Sequence, residues 1–202
     1  MKTRFLSLLF LVTFTLGLGE LRGQNHKKLI KMHRAELNAE FADPKKSPLT
    51  AEDLKSFKGL PFYPFSEVFR VEARFIRSDS VVSVAFATTT ARMPLYDVYG
   101  YLEFDLGGLK HRLTVYQSQD LRNKPEYQDY LFLPFTDQTN GDETYGGGRY
   151  LDLRIFEGNT VWLDFNKAYS PYCAFNSRYS CPLVPASNHL ALPIRAGMKN
   201  WK

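Results

Sequence analysis

Functional side chains of several chemical types cluster in the segment 133–150, LPFTDQTNGDETYGGGRY. Carboxylates accept hydrogen bonds, hydroxyls donate and accept them, and an arginine offers a planar set of donors that suits a carboxylate, phosphate or sulfate. The glycines 146–148 would let the backbone approach a ligand closely. A glycine-rich polar loop is also what a β-hairpin requires, so a purely structural loop is the alternative. The candidate ligand contacts here are Asp137, Thr139, Glu143, Thr144, Tyr145 and Arg149.

A second cluster follows in the segment 164–181, DFNKAYSPYCAFNSRYSC. Asp164, Asn166 and Tyr169 place polar groups and an aromatic ring near a strand end, where they could line a shallow site. A loop capped by Asp and Asn and packed by aromatic rings is the alternative. The leading hypothesis is that loops 136–149 and 164–181 together bind a small polar or anionic ligand, or a partner protein of the cell envelope.

In this hypothesis Arg149 pairs with the anion, while Tyr145 and Tyr169 stack on the ligand. A hydrolase with a carboxylate pair from the same loops is the second hypothesis. Its candidate residues are Asp137, Glu143 and Asp164, because neighbouring strands can bring two acids within roughly 5–10 Å, the separation that glycosidases use. A structural role in the cell envelope is the third hypothesis.

Common enzyme signatures are missing from the sequence. It contains no G-x-S-x-G, H-E-x-x-H, G-x-x-x-x-G-K-[ST] or G-x-G-x-x-G motif, which are typical of serine hydrolases, zinc proteases, P-loop proteins and dinucleotide-binding proteins. We therefore predict no cofactor and no metal site, and the sequence leaves open whether the protein is an enzyme.

The first residues resemble an export signal. A short basic start, Met1 to Arg4, precedes an apolar run from Phe5 to Leu18 that is shorter than a membrane-spanning helix. We expect residues 1–23 to be a cleaved signal peptide, with an uncleaved anchor as the alternative. The mature protein would then be periplasmic or extracellular, and it would contact the membrane only through this segment before cleavage.

Export changes the expectation for Cys173 and Cys181, which form a C-x7-C pair. In an oxidising compartment two nearby cysteines are typically bonded, so we predict a disulfide. Zinc binding, or a nucleophilic pair of Cys173 with His189, is the alternative.

The composition fits one globular domain. The chain has 202 residues, 44% of them hydrophobic and 15% aromatic, with a formal net charge of +5. So many aromatic residues are atypical of disorder. Because acidic residues are interleaved with the basic ones, and an exported protein rarely meets nucleic acid, we predict no nucleic-acid partner.

Two helical segments precede the strands. Residues 27–42 carry apolar side chains three and four positions apart, which predicts an amphipathic helix that ends before Pro44. Thr50, with Asp53 three residues later, predicts the capped start of a second, short helix. The predicted organisation is a signal peptide (1–23), an N-terminal helical segment (24–60) and a β domain (61–202).

From residue 69 onward, apolar and polar residues alternate with period two. This predicts about eight short strands, with hairpins formed by 69–75 with 82–86, by 98–104 with 113–116, and by 151–155 with 161–165. Pro134 should keep the strand 131–135 at a sheet edge, and a last strand is expected at 190–194. The predicted fold is mainly β: an antiparallel sandwich or a partly open barrel, with one or two N-terminal helices.

Four stretches resemble a known bacterial family, the domain of unknown function 1684. They are SPLTAEDLKSFKGL at 47–60 and, within 131–197, LFLPFTDQTNGDETYGGGRYLDL, LDFNKAYSPYCAF and CPLVPASNHLALPIRAG. The resemblance covers most of the mature chain but implies no established activity. It leads us to expect an acidic residue after Ala196 and Gly197, where this chain has Met198, so a carboxylate does not act at that position.

Overall fold

The computed structural model describes the backbone of residues 3–202 and the side chains of residues 23–202. The predicted signal peptide lies almost entirely outside the residues whose side chains are described, and it stays a prediction. Helix α1 spans Thr3–Ala42 and ends before Pro44, and helix α2 spans Ala51–Ser56. The predicted cap of α2 is confirmed, because the Asp53 amide donates to Thr50 Oγ1 at 3.1 Å. Within the described residues, no helix is long and apolar enough to cross a membrane.

Eight strands form one sheet, and the predicted mainly β fold is confirmed. The strand order is β6-β5-β4-β3-β1-β7, with β2 paired to β3 and β8 paired in parallel to β5. The sheet curls into a partly open barrel, so the sandwich alternative does not apply. The strands are β1 (Arg70–Arg77), β2 (Ser83–Ala85), β3 (Leu95–Leu106), β4 (Leu109–Ser118), β5 (Tyr130–Asp137), β6 (Arg149–Arg154), β7 (Thr160–Asp164) and β8 (His189–Leu190).

Only the middle one of the three predicted hairpins forms. Strands β3 and β4 pair from Tyr96↔Ser118 to Leu106↔Leu109 around a Gly107-Gly108 turn. The first predicted hairpin is wrong, because β2 pairs with β3 whereas β1 pairs with β3 and β7. The third is also wrong, because β6 pairs with β5 and β7 pairs with β1. Alternation reveals which face of a strand is buried, but it carries no information about the partner strand.

The prediction that Pro134 marks an edge strand is wrong as well. Strand β5 lies between β4 and β6, and its only ladder pair with β4 is Tyr116↔Phe132. Two residues further on, Thr114 would face Pro134, which has no N–H to donate. The Asn188 carboxamide fills this gap: it accepts from the Thr114 amide at 2.9 Å and donates to the carbonyls of Thr114 at 2.8 Å and Pro134 at 2.7 Å. A buried side chain thus replaces the missing backbone bonds.

The two end strands of the sheet, β6 and β7, are linked by a backbone contact between β6 and the segment that follows β7. After β7 the chain makes a short 3-10 turn, Phe165–Lys167. Tyr169 then pairs with Tyr150 of β6, with N···O distances of 2.9 and 3.1 Å. We call this contact the seam, because it links the first and last strands of the sheet order.

Side chains on the two faces of the sheet form separate clusters. Leu131, Leu133 and Leu151 point into the main core, whereas Phe132 and Tyr150 belong to an aromatic cluster on the other face. A third cluster joins α1 to the C-terminal segment through Phe41, Phe175 and Met198. Asp152 lies two residues after Tyr150 on the same strand, so its side chain is on the same face of the sheet as Tyr150. Helix α1 lies over this face.

Candidate functional site

The structure places most of the predicted ligand contacts in the interior. Asp137, Thr139, Thr144, Arg149 and Asn166 are all at most 3% exposed. Their hydrogen-bonding groups are turned toward the protein, which leaves them unable to reach a ligand in this conformation.

Arg149 shows most clearly that the predicted ligand contacts bind other parts of the protein. Its Nη2 lies 2.8 Å from Asp137 Oδ2 and donates to the Ile194 carbonyl at 2.7 Å, while its Nη1 donates to the carbonyls of Ala196 and Met198. Both side chains of the ion pair are fully buried. Arg149 thus holds the C-terminal segment against the barrel, in place of the anion contact that the sequence suggested.

The three candidate catalytic carboxylates do not form a pair with one another. Asp137 faces Arg149, Glu143 bonds Arg195 at 2.8 Å, and Asp164 Oδ2 lies 3.1 Å from His26 Nε2. Asp137 and Glu143 each pair with an arginine, and Asp164 Oδ1 accepts from Asn166, so these loops do not place two of the acids against each other.

Two of the predicted contacts are found close to an open cavity. Tyr169 lines it, whereas Tyr145 is outside the lining, with its hydroxyl 3.7 Å from Cys173 Sγ. Burial raises the pKa of Tyr145 to about 12, so its hydroxyl is protonated and can donate.

The cavity has a volume of about 400 Å³ and lies between α1, strand β6 and the segment 169–182. This is within the size range of small-molecule sites, roughly 300–1,000 Å³. We call it the seam cavity, because Tyr150 and Tyr169 are both in its wall. Its apolar and aromatic lining consists of Leu37, Phe41, Tyr150, Tyr169, Pro171, Tyr172, Tyr179, Pro182 and Met198.

Asp152 is the central polar group of the seam cavity. Its Oδ1 accepts hydrogen bonds from the hydroxyls of Tyr130 at 2.8 Å and Tyr169 at 2.6 Å. Its Oδ2 accepts none from the described residues, and the side chain stays accessible to solvent. Partial loss of hydration inside the cavity raises the pKa of Asp152. The hydrogen bonds from Tyr169 and Tyr130 act in the opposite direction and lower it. One carboxylate oxygen is therefore oriented, while the other is free to accept a bond.

Two further polar atoms of the lining have no partner. His33 Nε2 and Ser170 Oγ are buried atoms without a hydrogen bond to any described residue. Desolvation lowers the pKa of His33, and the nearby Lys167 lowers it further. A neutral imidazole and a hydroxyl thus remain available to a molecule in the cavity.

The charge of the lining is negative. Glu40 and Asp152 are its carboxylates, and no lysine or arginine among residues 23–202 lines the cavity. Tyr172 donates to Glu40 Oε1 at 3.1 Å, which fixes that carboxylate at the α1 side. Two acids surrounded by tyrosine rings form an environment that favours a cation over an anion.

Sequence reasoning missed most residues of this site, among them His33, Tyr130 and Asp152. Strand alternation does put Asp152 on the face opposite Leu151 and Leu153. The convergence of these residues depends on the β5–β6 pairing and on the position of α1, which no local pattern encodes. Cys173 and Cys181, predicted as a disulfide, are both free thiols here, and the disulfide stays a prediction.

Comparisons with known proteins agree with this fold. The solution NMR structure of the uncharacterized protein from gene locus rrnAC0354 of Haloarcula marismortui is similar, with a TM-score of 0.69 and 31% sequence identity over 89% of this chain and 97% of that one. No curated protein matches. The sequence profile described as "Protein of unknown function (DUF1684)" matches residues 55–199. This chain therefore belongs to the DUF1684 family.

Proposed function

We propose that the protein binds a small organic cation, with an apolar or aromatic body and an amine donor, in the seam cavity. The observation that carries this proposal is the free Oδ2 of Asp152, an accessible carboxylate oxygen whose neighbour Oδ1 is held by Tyr130 and Tyr169. A site organised before the ligand arrives loses less entropy on binding.

The rest of the lining supports the same ligand chemistry. Glu40 adds a second negative charge, and the rings of Tyr150, Tyr169 and Tyr179 offer faces for an ammonium group or an aromatic body. His33 Nε2 and Ser170 Oγ provide additional polar contacts. An anionic ligand would face two carboxylates and no lysine or arginine in the described lining.

Calorimetry with 2-phenylethylamine tests the proposal. Two probes of similar shape serve as comparisons: neutral 2-phenylethanol and anionic 3-phenylpropanoate. We expect the amine to bind most tightly and the anion not at all. Hydrogen bonds to a charged group contribute about 1.5–3 kcal/mol, so Asp152→Asn should weaken amine binding by roughly 10- to 100-fold.

Asp79→Asn is the matched control, because it removes an exposed carboxylate from a loop outside the cavity. Equal amine affinities of wild type and Asp152→Asn would refute the proposal, as would preferred binding of the anion. Export, which the first residues predict, is part of the proposal: the ligand would be met outside the cytoplasm, and N-terminal sequencing of the mature protein tests this.

A further inference from the structure

Two cysteines lie at or near the seam cavity and are not among the proposed contacts of the amine. Cys181 lines the cavity wall, whereas Cys173 is not part of the lining. The Cys173 amide donates to Cys181 Sγ at 3.1 Å, so the Cys181 sulfur lies against the Cys173 backbone. The two thiols are therefore close enough in the fold to react with each other after a small rearrangement.

The surroundings of the two sulfurs differ. Cys173 is half-buried, and its Sγ lies 3.7 Å from the Tyr145 hydroxyl, whereas Cys181 is 7% exposed. Hydrogen bonds from the Cys181 thiol, from Tyr145 and from Thr89 lower the pKa of Cys173. The hydrogen bond between the two cysteines raises the pKa of Cys181. Cys173, the more exposed of the two sulfurs, is therefore the one that loses its proton more readily.

The segment that carries Cys181 is fixed to a neighbouring segment. The Thr89 amide donates to the Cys181 carbonyl at 3.0 Å, and the Cys181 amide donates to Thr89 Oγ1 at 3.1 Å. Cys181 is thus held in place while Cys173, in the 3-10 turn Tyr172–Ala174, faces it. This is the arrangement of an attacking thiol with a resolving thiol beside it.

We propose that Cys173 and Cys181 form a redox-active dithiol that exchanges with low-molecular-weight disulfides, with Cys173 as the attacking sulfur and Cys181 as the resolving one. The Cys173 thiolate attacks one sulfur of the disulfide R–S–S–R, forms a mixed disulfide and releases one thiolate RS⁻. Cys181 then gives its proton to the first RS⁻ and attacks Cys173 Sγ, which releases the second RS⁻ to be protonated by solvent. One external disulfide is reduced to two thiols while the protein dithiol is oxidised to one internal disulfide.

Glutathione disulfide is the probe, added to the reduced full chain, with intact mass spectrometry after acid quenching. Wild type should lose two hydrogens and should not accumulate an adduct. Cys181→Ser should stop at one glutathionyl adduct on Cys173. Cys173→Ser should react at least about tenfold more slowly, because its remaining thiol, Cys181, is buried.

A more conservative variant covers the case in which a cysteine substitution disturbs folding. Tyr145→Phe removes only the hydroxyl near Cys173, and we expect it to slow formation of the internal disulfide several-fold. Tyr127→Phe is its control, since Tyr127 is exposed and lies in a different 3-10 turn, Pro125–Tyr127.

Three results would overturn the proposal. They are a Cys173→Ser variant that reacts as fast as wild type, a wild-type adduct that persists without an internal disulfide, and a wild-type chain that keeps both thiols. Because these readouts do not use a cavity ligand, they are independent of the amine-binding experiment.

Discussion

The Asn188 carboxamide donates a hydrogen bond to the Pro134 carbonyl at 2.7 Å and occupies the gap that this proline creates between β4 and β5. Proline within an inner strand ordinarily costs a ladder hydrogen bond. Here the bonds that Thr114 would have made to a backbone go to Asn188. The interior of the sheet therefore depends on a side chain that is 54 residues away from Pro134 in sequence.

Substitution of Asn188 by alanine should destabilise the protein strongly. It leaves the amide of Thr114 and two carbonyls without partners in a buried place, and each unsatisfied group costs about 1–3 kcal/mol. We expect a loss of at least about 2 kcal/mol in the free energy of unfolding, measured by urea denaturation. Asn123→Ala removes an exposed bond to the Gln119 carbonyl and should change stability little; an equal effect of both variants would contradict this role.

Removal of the Arg149 guanidinium should also act on stability. Arg149→Met leaves the buried Asp137 carboxylate without its cation, which typically costs about 3–5 kcal/mol. The double variant Arg149→Met with Asp137→Asn should recover part of this loss in the same denaturation experiment.

The control for this pair is the exposed arginine of the neighbouring ion pair. Arg195→Met breaks a contact to Glu143 in which the arginine side chain is 58% exposed, so we expect a change below about 1 kcal/mol. An effect of Arg149→Met as mild as that of Arg195→Met would contradict this structural role of Arg149.

The raised pKa of Asp152 predicts opposite pH effects on ligand binding and on stability. Amine affinity should increase as the pH rises through the raised pKa, because only the ionised carboxylate attracts a cation. The stability of the free protein changes with pH in the opposite direction. The folded state binds a proton more tightly than the unfolded state, so this contribution to stability is present below the unfolded pKa and is lost as the pH rises through the folded pKa.

Calorimetric titration and thermal unfolding at several pH values measure both effects, and Asp152→Asn should remove both of them. Loss of a proton from His33, whose pKa is lowered, would change the affinity in the same direction, so the Asp152→Asn variant is needed to separate the two groups. A pH profile that is identical in wild type and Asp152→Asn would show that another group titrates.

Two glycines with positive φ should respond differently to alanine. A Cβ on Gly197 (φ +75°) would lie 2.5 Å from the Ala168 carbonyl oxygen, whereas one on Gly158 (φ +82°) meets nothing within 4 Å. Both variants carry the backbone strain of about 1–2 kcal/mol, but only Gly197→Ala adds a steric clash. Gly197→Ala should therefore have a melting temperature clearly below that of Gly158→Ala; equal values would contradict the close approach.

The features of the fold that depend on neighbouring residues could be predicted from the sequence. The cap at Thr50 and the hairpin around Gly107 and Gly108 depend on residues that are close together in the chain. The pairing of β6 and β7 could not be predicted, because alternation is compatible with any partner. Their separation of six residues suggested a hairpin, yet they lie at opposite ends of the strand order.

The candidate site was predicted less well than the fold. Residue types in the loop 136–149 pointed to a binding surface, but the same groups satisfy one another inside the protein. The polar groups of the seam cavity come from distant parts of the chain: His33 from α1, Tyr130 from β5 and Asp152 from β6. A free carboxylate oxygen is recognisable only when the hydrogen-bond partners of its neighbour are known.

The pairing of β1 with β7 has a consequence for the newly made chain. Its register joins Arg70 to Asp164, so the ribosome synthesises β1 long before its outer neighbour exists. Until β7 emerges, one side of β1 presents unpaired amides and carbonyls, which is the kind of strand edge that recruits other chains. The edge of β1 is thus protected only after β7 has been made and has paired with it.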